Sequence, residues 1–300
     1  MPMAQTIYTQ QGSNIRKTWL LMTGFLVLVI AICYAVAFYL GNPSILYIGI
    51  VFALLMNVGS YWLSDKLVLK MTNAKPVAKQ DAPELYNIVE NLAITAGLPM
   101  PKVYVVEDAA PNAFATGRNP EHAVVAVTTG LLSILDRNEL EGVVAHEMSH
   151  IGNRDMLVMT VAVVLAGFVA IIADFFSRAL MFGGDGRDRS PLFLIFGIIG
   201  IILAPIAAQL MQMAISRRRV YLADATGALL TRYPEGLASA LEKISGYSGQ
   251  MKSASHATAH LFISDPYGKQ QRSIGQKLGA LFQTHPPADD RIRLLRQMDV

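Results

Sequence analysis

The sequence predicts a mainly α-helical membrane protein: four transmembrane helices and a small α+β domain split between two polar segments. Three observations predict this. The 300 residues are 53% hydrophobic and 16% charged, with a mean hydropathy of +0.38, too apolar for an ordinary soluble domain. Uncharged runs of membrane length occur as two closely spaced pairs. The polar stretches beside them carry alternating helix and strand signals. The predicted order is a membrane hairpin at 1–64, a first soluble part at 65–155, a second hairpin at 156–215 and a second soluble part at 216–300.

Residues 19–40 and 44–64 carry no charge, and each run can cross a hydrocarbon core of about 30 Å. Only Gly41, Asn42 and Pro43 separate them. The length of the first run, and the span that follows at once, argue against a cleaved signal peptide. Residues 156–173 and 192–215 form the second pair, with Pro205 inside the last run and GGDGRDRS between them. Asp174 and Arg178 stand four apart near the end of the third run and read as an interfacial ion pair.

Arg16 and Lys17 precede the first span, Lys66 and Lys70 follow the second, Arg154 precedes the third, and Arg217–Arg219 follow the fourth. This excess of basic residues on one side predicts that both termini and both soluble parts face the cytoplasm. The three arginines read as an anchor to an anionic leaflet. A net charge of +3 is what basic membrane flanks produce. No nucleic-acid-binding motif is present, so the expected partner is the lipid bilayer and not nucleic acid. The single cysteine, Cys33, lies in the first run and reads as a small buried apolar residue.

In the first soluble part, Asp81 and Glu84 suggest a capping box for a helix running to about Ala96, ended by Gly97 and Pro99. Residues 102–107, 111–117 and 122–129 read as short strands. The last of these is expected to offer a sheet edge that holds a peptide in extended form. Asp136 and Glu139 form a second capping-box pattern, opening a helix through about Gly152.

That helix contains His146-Glu147-Met148-Ser149-His150. Residues i and i+4 share a helix face, so both histidines can present ring nitrogens to one zinc ion, with Glu147 beside it as general base for peptide hydrolysis. The soluble part is therefore expected to be a zincin-like metallopeptidase domain with Zn2+ as cofactor.

HEMSH, with PNAFATG and TTGLL before it and SRRRVYLAD, AHLFI and THPPADDRI after it, resembles the HtpX-type membrane-bound zinc metallopeptidases over about residues 15–300. The resemblance implies ATP-independent cleavage of membrane-protein or unfolded polypeptide substrates, as envelope quality control at the bacterial inner membrane. It also implies distant kinship with CAAX prenyl proteases. It assigns His146 and His150 to the metal, Glu147 to catalysis and Asp224 to orienting a ligand histidine. His285 and Arg291, in the THPPADDRI stretch, are implied as stabilisers of the transition state.

One position departs from the pattern. Where the family has its third zinc ligand, a glutamate, this chain has Val220. Valine has no lone pair to give a metal. The otherwise intact motif favours an introduced substitution over a natural weak metal binder. The expected form is an impaired protease; the rival reading is a non-catalytic membrane scaffold. His256 and His260 have metal-compatible spacing but lack a following glutamate, so His260 is expected to pack. His122 is expected to be exposed.

Overall fold

In the computed structural model, residues 7–162, 164–165, 217–254, 258–266 and 286–299 are described. The third expected span is described only as far as residue 165, as a helical stretch that buries Leu157, Val158 and Val161 against Leu21 and Phe25. The rest of it, the fourth expected span, the Asp174–Arg178 pair, His256 and His285 lie outside the described residues.

Helix α1 (Ile7–Leu40) and helix α2 (Ser44–Trp62) form an antiparallel pair. Both are long and apolar enough to cross a membrane, with mean hydropathies of 2.6 and 1.7. Gly41 turns the chain with φ 63°, and Asn42 Oδ1 accepts from Ser44 N at 3.1 Å. The helices approach closely because Gly49 lacks a β-carbon, which would collide with Cys33 Sγ. Cys33 is half-buried there, not fully enclosed as expected. Helix α1 begins earlier than the apolar run, and Asn14 and Thr18, ahead of that run, are buried. Asn14 donates from Nδ2 to Asn153 O at 3.1 Å, joining the span to the C-terminus of the HEMSH helix. Leu63 breaks the helix before the short α3 (Ser64–Met71), which buries Val68 and Leu69.

The soluble part is a four-stranded sheet between helices. Strands β1 (Lys75–Pro76), β2 (Lys102–Val106), β3 (Ala113–Thr116) and β4 (Val124–Thr128) lie in the order β1-β2-β4-β3. β2 runs parallel to β4, while β1 and β3 are antiparallel to their neighbours. β4 is thus an interior strand, and the expectation that it offers a substrate edge is corrected. All five of its residues are buried, with Val125 and Val127 on one face and Val124 and Ala126 on the other. The free side of β3 meets residues 262–263: Phe114 bridges Phe262, and Ile263 N donates to Ala113 O at 2.9 Å.

Helix α4 (Pro83–Ala96) buries Leu85, Ile88, Val89 and Leu92. Its N-cap is Ala82, with no side-chain cap, so the capping box expected from Asp81 does not form. Pro83, preset for the first helical position, starts the helix instead; Gly97 ends it with φ 64°. After the short α5 (Thr129–Ile134) comes α6 (Arg137–Gly152), where both halves of the capping box are present. Glu139 N donates to Asp136 Oδ1 at 3.0 Å, and Asp136 N to Glu139 Oε2 at 2.8 Å.

Helices α7 (Arg217–Thr231), α8 (Pro234–Gly246) and α9 (Ala288–Arg296) complete the core with α6. Glycines set the spacing. A β-carbon on Gly227 would lie 3.0 Å from His146 N, and one on Gly142 only 2.6 Å from Leu237 N. Residues from both soluble parts share this core, so the HEMSH helix is buried along most of its length.

Candidate metal centre

Helix α6 places His146, Glu147 and His150 in the interior, at 1%, 1% and 6% exposure. The two imidazole rings stand edge to face with centroids 4.8 Å apart. Each is held by a carboxylate from outside the helix. Asp224 Oδ1 on α7 lies 2.8 Å from His146 Nδ1, somewhat off the straight hydrogen-bond line. Asp155 Oδ1 lies 3.0 Å from His150 Nδ1. A carboxylate at Nδ1 selects the tautomer whose Nε2 lone pair is free for a metal.

Asp155 is the functional residue that motif reading passed over. Its signal is a carboxylate five residues after the second histidine, beyond a turn in which Arg154 has φ 55°. It is fully buried, because the turn at Asn153–Arg154 places it against His150.

Asp224 is held in turn by Arg291. Nε and Nη2 of Arg291 donate to its two oxygens at 2.8 and 2.7 Å, and Nη1 donates to Ile263 O at 2.8 Å. The guanidinium thus faces Asp224 and the backbone. Burial would raise the Asp224 pKa, but Arg291 and His146 outweigh it and hold the carboxyl well below its usual range. Removing one partner of such a buried pair strands the other charge. Arg291→Ala is expected to lower stability by about 3–5 kcal/mol, read by chemical denaturation in detergent.

Glu147 is enclosed, and neither carboxylate oxygen has a satisfied hydrogen bond; the Ala115 N–H of β3 is directed towards it without satisfying it. Desolvation pushes its pKa up to about 7, despite opposing pulls from His150 and Arg291. Burial also pushes His146 down to about 4, against the pull of Asp224. Desolvation of His150 is outweighed by Asp155, so its pKa rises.

These shifts give opposite pH dependences. The raised Glu147 pKa contributes stability that is present at acid pH and lost as pH rises through about 7. The depressed His146 pKa contributes stability lost as pH falls through about 4. Comparing the metal-free parent with Glu147→Gln isolates the first effect. The variant is expected to gain on the order of 3 kcal/mol relative to the parent between pH 5 and pH 8, measured as denaturation midpoints. Equal pH profiles would contradict it.

The donor set fits a zinc ion in part: two histidines with oriented rings and an unsatisfied buried carboxylate beside them. Val220, 9% exposed on α7, brings no donor. Among the described residues, no group of three or more histidine, cysteine, aspartate or glutamate side chains forms a metal cage. Glu235 and Glu242 lie elsewhere, paired with Arg296. His260 packs as expected, at 3% exposure. His122 is exposed, in a short 3-10 turn before β4 rather than in the strand. Of the arginines expected at the membrane surface, Arg217 and Arg218 are exposed, but Arg219 is buried near Asp155. The helical period turns it inward, which corrects its assignment to lipid.

The profile described as "Peptidase family M48" matches residues 79–299, the stretch that contains every site residue above. A "Protease HtpX homolog" of Syntrophobacter fumaroxidans is 50% identical over 293 residues, spanning 96% of this chain and 100% of that protein. Proteins of the same description from Caldanaerobacter subterraneus and Pyrococcus furiosus are 45% and 49% identical, covering 99% and 94% of this chain and 99% and 95% of their own lengths. The crystal structure of S. mikatae Ste24p is similar in fold, with a TM-score of 0.52 at 17% identity, over 96% of this chain and 67% of that one. A buried HEMSH helix with carboxylate-held histidines, inside a stretch matched at this level, places the chain in peptidase family M48.

Proposed function

We propose that the chain has the build of a membrane-bound zinc endopeptidase acting on damaged or misfolded membrane proteins, impaired as it stands by Val220. The observation that carries this reading is the unsatisfied Glu147 carboxylate, buried beside two histidines whose Nδ1 atoms are engaged by Asp224 and Asp155. A zinc ion, when bound, supplies Lewis-acid polarisation of the scissile carbonyl and lowers the pKa of water. Glu147, with its pKa raised to about 7, is matched to take a proton from the attacking water and return it to the leaving amine. Asp224 and Asp155 orient the histidines, and Arg291 holds Asp224. His285 remains a candidate for stabilising the oxyanion.

The test is cleavage of an unfolded protein, such as casein, by the Val220→Glu form in detergent, with loss on chelation and recovery with zinc. The second reading, a scaffold that grips polypeptides without cutting, is favoured by Val220 alone; it predicts no cleavage even after that substitution. The quality-control role rests on the HtpX resemblance, and the inner-membrane, cytoplasm-facing placement rests on the basic residues flanking the spans. Reporter fusions at Asn42 and Gly186 are expected to read non-cytoplasmic, and fusions at Lys79 and Val300 cytoplasmic. A cytoplasmic signal at Gly186 would remove the second hairpin from the membrane.

A further inference from the structure

An open groove of about 730 Å³ lies between α3, the β1–β2 edge and the segment after α8. Its walls bring together Lys66 and Lys70, one turn apart on α3, Lys75 from β1 and Lys252 from the segment after α8. The two acids in the wall are already engaged. Glu107 pairs with Lys75 at 3.0 Å. Asp108 accepts from the backbone of Ala110 through Oδ1. Its Oδ2 accepts from Lys252 N, Ser253 N and Ser253 Oγ at 2.8–3.0 Å. Asp108 therefore pins the loop that carries Lys252 onto the groove, its oxygens taken up by backbone N–H groups and the Ser253 hydroxyl. Lys66, Lys70 and Lys252 make no ion pair among the described residues.

The position of the groove decides what kind of anion fits. Helix α2 is one of the two helices long and apolar enough to span, and α3 follows it after Leu63 alone. Tyr61 and Trp62 close the apolar run, with the Arg118 guanidinium 4.8 Å from the centroid of the Trp62 ring. Aromatic side chains with a basic partner are what a membrane–water interface selects. With α2 in a bilayer, Lys66 and Lys70 follow the end of its apolar run by four and eight residues, and Lys252 lines the same groove.

We propose that this groove binds the headgroup of an anionic phospholipid, its phosphodiester held by Lys66, Lys70 and Lys252. The proposal rests on α1 and α2 crossing a bilayer. An anionic headgroup bound here would bridge α3 and the 251–253 loop. It would tie the soluble domain to the spans through residues outside the set that surrounds the histidines.

The test uses the full chain purified in a neutral detergent and titrated with dioctanoyl-phosphatidylglycerol, its thermal midpoint being read. A saturable rise is expected, weakened at high ionic strength. Dioctanoyl-phosphatidylcholine and inorganic phosphate at the same concentrations should give none. Each lysine near an anionic headgroup is worth about a fivefold factor in affinity. Lys66→Gln/Lys70→Gln/Lys252→Gln should therefore weaken binding roughly a hundredfold, and the matching triple arginine variant should keep it. Lys79→Gln/Lys102→Gln/Arg232→Gln, which removes the same charge elsewhere, should bind as the parent does. An equal response to phosphatidylcholine, a response to phosphate alone, an equal loss in the control variant, or no response would each overturn the proposal. Alkaline carbonate extraction reads membrane insertion separately: a chain that stays in the membrane but lacks headgroup selectivity defeats the groove alone.

Discussion

Val220→Glu is expected to convert a weak zinc binder into a tight one and to start self-cleavage during expression. Position 220 lies one helical turn before Asp224 on α7, and Asp224 touches His146. Residues four apart share a helix face, so a glutamate at 220 points to the side of α7 that meets the histidines. The gain is twofold. The carboxylate adds a third protein ligand, which catalytic zinc sites ordinarily have. It also brings negative charge to a site whose other ligands are neutral. The rise in affinity should exceed the roughly 10–100-fold that an outer-shell partner is worth. Without metal, the same substitution buries an extra carboxylate and should lower stability, and zinc should reverse that loss. The measurements are zinc content after dialysis against a moderate chelator, fragment formation on a gel, and denaturation midpoints with and without zinc. Near-stoichiometric zinc and full activity in the Val220 form would show that another residue completes the site.

In that Val220→Glu background, Glu147→Gln should reduce peptide cleavage by about 10²–10⁴-fold, the usual worth of a general base. Zinc content should stay largely unchanged. Glutamine keeps the shape of the side chain but cannot take a proton at neutral pH. The separation of activity from metal content distinguishes proton transfer from a structural role, since a collapsed site would lose both. Zinc lost together with activity, or activity above about a hundredth of the parent rate, would remove Glu147 from the base role.

Much of this site was legible because its signals are local. A helix turns by a fixed angle per residue, so HEMSH alone puts both histidines on one face. Asp136 and Glu139 likewise mark the start of their helix within four residues. Asp81 and Glu84 carried a similar signal and failed, because Pro83 preset the first helical position and made Ala82 the N-cap. β4 was expected to offer an edge, but edge and interior strands differ only in their neighbours, and two earlier strands, β2 and β3, flank it on both sides.

The sequence by itself determined the first two long apolar helices, strands β2 to β4 and the HEMSH helix, together with the missing donor at position 220. Each depends on composition or on spacing within one element, where chain geometry leaves little freedom. Only the tertiary structure decided that Asp155 holds His150, that Arg291 fixes Asp224, that Arg219 is buried, and that lysines from three segments line one groove. Those relations join residues through space. They depend on how closely α6, α7 and α8 approach across Gly142 and Gly227, and on the turn at Asn153–Arg154. Close packing sets them, and no periodicity within one segment carries that information.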